Sequence, residues 1–172
     1  MTAKKMMVVT LAKTGAVLGA ATRRTAGVPA VADLVGAGLL ARLADEEAGV
    51  AVPVEELAVK EVDHSDDVFR DPRAHVVDAS GTIVAPSLKV SMIGNTNLDV
   101  TVTVTPPTPA ADKTVLVVVD KGANQESLKF VGKTVLNVAA TVVPVSGIPP
   151  GDHVVLASVD GYTTLLDVCM FT

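Results

Sequence analysis

Residues 98–105 read Leu-Asp-Val-Thr-Val-Thr-Val-Thr. Successive side chains of an extended strand point to opposite faces. Leu98, Val100, Val102 and Val104 therefore share one face, and Asp99, Thr101, Thr103 and Thr105 share the other. The pattern predicts an antiparallel strand with one dry face and one wet or lightly covered face. Pro106-Pro107 follow, and proline has no N–H to give to a ladder, so the strand is expected to stop there.

Reading outward from this strand, residues 87–93, 114–119, 127–131, 134–143, 153–159 and 163–171 also carry strand patterns. Turns are expected at Gly94-Asn95-Thr96-Asn97, over 106–113 with its three prolines, at 120–124 and over 147–152. Seven strands at roughly ten-residue spacing predict a β-sandwich. Residues 115–119 are continuously apolar, so both faces of that strand must be covered. It is either a central strand or one buried in a subunit interface.

The first half reads as a smaller region of β-hairpins or meander. Residues 6–11 and 16–22 flank Lys13-Thr14-Gly15, a hairpin with Gly15 supplying the turn. In 28–45, Val31, Leu34, Val35, Leu39 and Leu43 approximate helical spacing, weakened by Gly36 and Gly38. The preferred reading is a loop, a strand at 39–44, a turn at 45–49 and a strand at 50–54. Residues 57–62 continue the sheet, 63–67 form a polar turn, and 69–73 form a loop. A short hairpin joins 75–78 to 82–84 through Ala79-Ser80-Gly81. Pro86 marks the expected boundary between an N-terminal β-rich region, 1–85, and a β-sandwich domain, 86–172.

The stretch 147–162, Gly-Ile-Pro-Pro-Gly-Asp-His-Val-Val-Leu-Ala-Ser-Val-Asp-Gly-Tyr, resembles the closing hairpin of PEGA-like and carboxypeptidase-regulatory-like modules. Those are transthyretin-like β-sandwiches, and the resemblance covers about residues 147–171. It implies a sandwich, Ig-like or transthyretin-like, with a non-catalytic binding or scaffolding role, and it transfers no functional residue. By physical reading, Pro149-Pro150-Gly151 forces a tight reversal. The Tyr162 hydroxyl is placed to bond back to backbone as a corner.

Composition narrows the function. Apolar residues make up 49% of the 172 residues and charged residues only 19%, below the typical ~25%. Such a charge-poor chain is expected to cover part of its apolar surface with another chain. Net charge is −5, with no basic stripe and almost no aromatics for base stacking, which argues against nucleic acid. The single cysteine, Cys169, reads as a small core residue. Residues 6–12 and 16–21 mimic a signal-peptide core, but Lys13-Thr14-Gly15 interrupts it. The expectation is a cytoplasmic or particle-borne chain rather than an exported one. No apolar run reaches the ~18 residues of a membrane span.

Motifs for chemistry are missing. Three histidines are scattered. Asp63, Asp66 and Asp67 could offer oxygens to Ca²⁺, but the spacing fits no EF-hand loop, and a solvated acidic turn is the better reading. Lys13-Thr14-Gly15 matches one serine β-lactamase motif without the Ser-x-x-Lys that must accompany it. No phosphate loop, Cys-x-x-Cys or nucleophile elbow occurs, so no catalytic residue, cofactor or small-molecule substrate is assigned.

The sequence thus predicts a structural subunit that assembles with its own copies or with other subunits, in a filament, shell, tail-like particle or surface layer. The alternative is an extracellular or envelope binding or adhesion module. The candidate interface residues are Thr101, Thr103, Thr105, Val115, Val117 and Val119, on strands suited to pairing across chains.

Overall fold

The computed structural model describes residues 4–22, 27–43, 48–96, 98–105, 109–122 and 126–172. In chain order the elements are β1 (Lys5–Leu11), β2 (Val17–Thr22), α1 (Val31–Val35), β3 (Gly38–Arg42), β4 (Gly49–Pro53), β5 (Leu57–Asp63), α2 (Asp66–Arg70), β6 (Val76–Val77) and β7 (Ile83–Val84). Then follow β8 (Leu88–Thr96), β9 (Asp99–Thr105), β10 (Thr114–Val119), β11 (Leu128–Lys133), β12 (Ala140–Pro144), β13 (Gly151–Val159), β14 (Tyr162–Thr163) and β15 (Leu165–Phe171). The fold is all-β, as the alternation of Val and Thr requires.

The hairpin at the start forms as read. β1 pairs antiparallel with β2, and β5 adds to the other edge of β1. Gly15 takes φ 72°, and a Cβ there would lie 2.5 Å from the Val77 carbonyl oxygen, so both conformation and space demand glycine. Residues 28–45 hold both alternatives in succession. α1 makes one turn, Gly36 ends it at φ 65°, and β3 then pairs with β4. The turn proposed at 45–49 falls mostly outside the described residues, as do Pro106-Pro107.

The reading of 63–73 as turn and loop is corrected. α2 forms at Asp66–Arg70 and runs into a 3₁₀ turn at Pro72–Ala74. Ser65 precedes the helix in extended geometry, Asp66 and Asp67 lie in its first turn, and Arg70 lies in its last, so the charges suit the helix dipole. Its Val68 is fully buried and anchors it.

In the second half, the expected strand at 134–143 shortens to β12. Residues 134–139 are loop instead, with Asn137 at φ 63°. β8 runs on to Thr96, through most of the turn expected at 94–97, and β9 begins at Asp99; residue 97 lies outside the described residues. Leu98 consequently leaves the strand and is 65% exposed rather than inward-facing.

Two four-stranded sheets result, ordered β12-β9-β8-β14 and β11-β10-β13-β15. They face each other across one core. Val100, Val102 and Val104 of β9 meet Val115, Val117 and Val119 of β10, with Val155, Ala157, Val159, Tyr162, Cys169 and Phe171 around them. The other face of the β10 sheet is dry as well over β10 and the middle of β13. Its Leu116, Val118, Val154, Leu156 and Leu166 pack on Val9, Leu11, Ala16, Val50, Val52, Leu57 and Val76 from the first half. A third core, with Met6, Val8, Val17, Val62, Val68 and Val77, lies on the far side of β1. The halves on either side of Pro86 thus share the middle core. Each fully buried aliphatic contributes roughly 1.5–3 kcal/mol, so this shared core holds the two halves as one body.

Two polar contacts join the layers. Thr14 Oγ1 and Ser158 Oγ lie 2.7 Å apart, both buried, linking the first hairpin to β13. Glu56 is also buried. Its carboxylate accepts from Lys13 Nζ at 2.6 Å and from Lys129 Nζ at 2.6 Å. Burial pushes the Glu56 carboxyl up, but the Lys129 and Lys13 ammonium groups together outweigh it and hold the group below the usual carboxylate range.

The depressed Glu56 carboxyl contributes stability that is present above its unfolded value, about 4.3, and is lost as pH falls through its lower folded value. Glu56→Gln is expected to lower stability at neutral pH by about 1–3 kcal/mol, discounted for the partly exposed lysines. It should also flatten the fall in stability below about pH 5, measured by urea unfolding across pH. The Tyr162 hydroxyl, expected to form a corner bond, is buried and has no partner among the described residues. Tyr162→Phe is therefore expected to be neutral or stabilising by up to about 1 kcal/mol; a loss of that size would show a bond to be present.

Candidate functional site

The six candidate interface residues separate into two groups. Val115, Val117 and Val119 are 0% exposed, facing β9 across the inner core, and have no surface to offer a partner. That part of the interface expectation is corrected: the covering layers of β10 come from the same chain. Thr101, Thr103 and Thr105 are on the outer face of β9, and nothing among the described residues packs over them. Thr101 and Thr103 are half-buried by their strand neighbours, and Thr105 is exposed.

Register defines the rest of that face. Directly opposed residues of paired strands point the same way. β9 is flanked by β8 and β12, so four cross-strand rows can be read in order. The first is Thr163–Lys89–Thr105, the second Met92–Thr103–Ala140, the third Gly94–Thr101–Val142 and the fourth Thr96–Asp99–Pro144. A bulge between Val90 and Met92 keeps Met92 on the outer face. Met92 is 58% and Val142 54% exposed. The two middle rows contain no charge. Lys89 stands at one end and Asp99 at the other, and neither has an ion-pair partner among the described residues.

Asp99 shares this face by the alternation of 98–105 itself, whereas Met92, Gly94, Ala140, Val142 and Lys89 were not legible as its members. They reach it by non-local pairing, and 140–144 alternates as regularly for one face as for the other. The only local signal was at Val142, which alternates with the inward Thr141 and Val143.

The other candidates for chemistry are accounted for structurally. Among the described residues no group of three His, Cys, Asp or Glu side chains is placed to hold a metal ion. Asp63 pairs with Lys5 at 2.7 Å, while Asp66 opens α2. Lys5 and Asp63 border a groove of about 420 Å³ beside His64 and His75. There the His75 Nδ1 lies 2.9 Å from the Asp71 carbonyl oxygen. His153 sits with its ring nitrogens on the Asp120 and Pro149 carbonyl oxygens, tying the proline corner to the end of β10. Cys169 is buried, and burial pushes its thiol up to about 11, so it stays protonated at neutral pH. Among the described residues no helix is long and apolar enough to cross a membrane.

A family model described as Domain of unknown function (DUF8756) matches residues 81–170, just over half of the 172-residue chain. The chain belongs to that family. The matched span takes in both four-stranded sheets and the open face. No curated protein and no solved structure matches the chain.

The two faces of β9 have opposite expected sensitivities. Val102→Ala, on the inner face, should cost about 2 kcal/mol through lost burial and a cavity. Thr103→Ala, on the outer face, should cost less than about 0.5 kcal/mol in the isolated chain. Urea unfolding at low protein concentration separates the two.

Proposed function

We propose that this member of the DUF8756 family is a non-catalytic structural subunit that packs with other chains into a larger assembly. The observation that carries the reading is the open face of the β12-β9-β8-β14 sheet. The sheet faces that form the three cores are covered by layers of the same chain, with Val131, Val168 and Met170 left exposed at the flanking strands β11 and β15. Among the described residues nothing covers the open face, and its two central rows are Met, Thr, Ala, Gly and Val without a charge. Threonine suits a sheet-to-sheet contact, since its methyl packs while its hydroxyl pairs across strands. The low charge of the whole chain supports the same reading, because a solvated monomer ordinarily wears more.

Size-exclusion chromatography with light scattering is the test. A mass at a multiple of 17.6 kDa that grows with concentration is expected. A 17.6 kDa species at every concentration, alone and in the presence of chains encoded beside it, overturns the reading.

A further inference from the structure

The geometry points to a second copy of this chain as the occupant of the open face, related by a two-fold axis that lies in the interface and crosses the strands between the second and third rows. This deepens the assembly reading and rests on it. A two-fold contact buries the same patch on both copies, so the patch must complement itself. An axis across the strands reverses strand direction while keeping each strand over its own counterpart. The second row then lies over the partner's third row, and the first over the partner's fourth.

Shape fits this operation. Met92 projects over the partner's Gly94, and Val142 over the partner's Ala140, so each large exposed side chain meets a small one. Thr101 meets the partner's Thr103, pairing two hydroxyls at the centre. A Cβ built on Gly94 touches nothing within 4 Å in the single chain, so the space above it is empty. Its backbone is extended strand, without the positive φ that reserves a position for glycine. Neither local strain nor crowding within the chain calls for glycine there, whereas a Met92 arriving from above does.

Charge fits as well. Lys89 in the first row approaches the partner's fourth row, which holds the partner's Asp99 one strand to the side. Neighbouring strands are about 4.8 Å apart and packed sheets about 10 Å, a separation the long lysine side chain bridges. The pairing occurs twice, once at each end. An axis parallel to the strands would instead bring Lys89 toward the partner's Lys89 and Asp99 toward the partner's Asp99, and like charges facing each other oppose association. The uncharged centre and oppositely charged ends therefore select one of the two in-plane two-folds.

The experiment is sedimentation equilibrium of the full chain from about 10 to 500 µM, a range set by the modest size of the face. The wild type is expected to move from 17.6 kDa towards twice that mass. Lys89→Glu and Asp99→Lys should each weaken association at least about tenfold, and the double variant should return within about threefold of wild type. Gly94→Val should weaken it similarly while leaving the circular dichroism spectrum and melting temperature of the dilute chain unchanged, because valine favours strands. Recovery in the double charge reversal together with loss in Gly94→Val supports the two-fold. An associating wild type with indifferent variants overturns this geometry and leaves the assembly reading standing. A wild type that remains at 17.6 kDa throughout overturns the two-fold, and it overturns the assembly reading as well when chains encoded beside it also leave it at 17.6 kDa.

Discussion

The burial of β10 on both faces is the constraint from which the other layers follow. Val115, Leu116, Val117, Val118 and Val119 are all fully removed from solvent. A strand of this composition cannot be left with a wet face, because each exposed aliphatic forfeits roughly 1.5–3 kcal/mol. One cover is the β12-β9-β8-β14 sheet, and the other is built from β1, β3, β4 and β5 of the first half. The second cover then meets the same problem. β1 is apolar on both sides, and the short α2 with the β6–β7 hairpin closes its far face. Stacking ends only where a layer presents a face that tolerates water. On the β9 side that face is the row of threonines.

Apolar contact between layers is non-directional and would allow sliding. The few buried polar groups remove that freedom. The Thr14–Ser158 pair and the Lys13–Glu56–Lys129 bridge connect residues far apart in sequence, and each leaves a buried polar atom unsatisfied if the layers shift. Glu56 is the sharper of the two, since its carboxylate is buried while its lysines keep part of their stems in water. The joint between the halves is thus made of packing for strength and of hydrogen bonds for register. Tyr162 shows that not every buried polar group serves this purpose, as its hydroxyl has no partner among the described residues.

The open sheet face combines features that individually mean little. Threonine-rich strands often face water, and single exposed aliphatics such as Met92 are ordinary. What distinguishes this face is arrangement: large residues beside small ones in alternating rows, no charge in the middle, and one unpaired charge of each sign at opposite ends. A surface with that antisymmetry is complementary to its own image under one rotation and not under another. Assembly through such a contact needs no pocket, cofactor or reactive side chain.

The sequence by itself determined the all-β class, the hairpin turn at Gly15, the two faces of β9 and the double burial of residues 115–119. All of these follow from a two-residue side-chain period and from turn residues whose effect is local. It left residues 28–45 undecided because a single helical turn beside a strand satisfies both periodicities in part. It placed Leu98 inward because alternation does not say where a strand ends. Only the tertiary structure decided what covers β10, namely this chain's own N-terminal layer rather than a neighbour, and which residues accompany Thr101 and Thr103 on the outer face. Those outcomes depend on pairing between strands whose partners lie far apart in sequence, as Thr163 and Lys89 do, and on packing between halves of the chain. Apolar surface requires burial of a given area, but it does not specify the partner that supplies it.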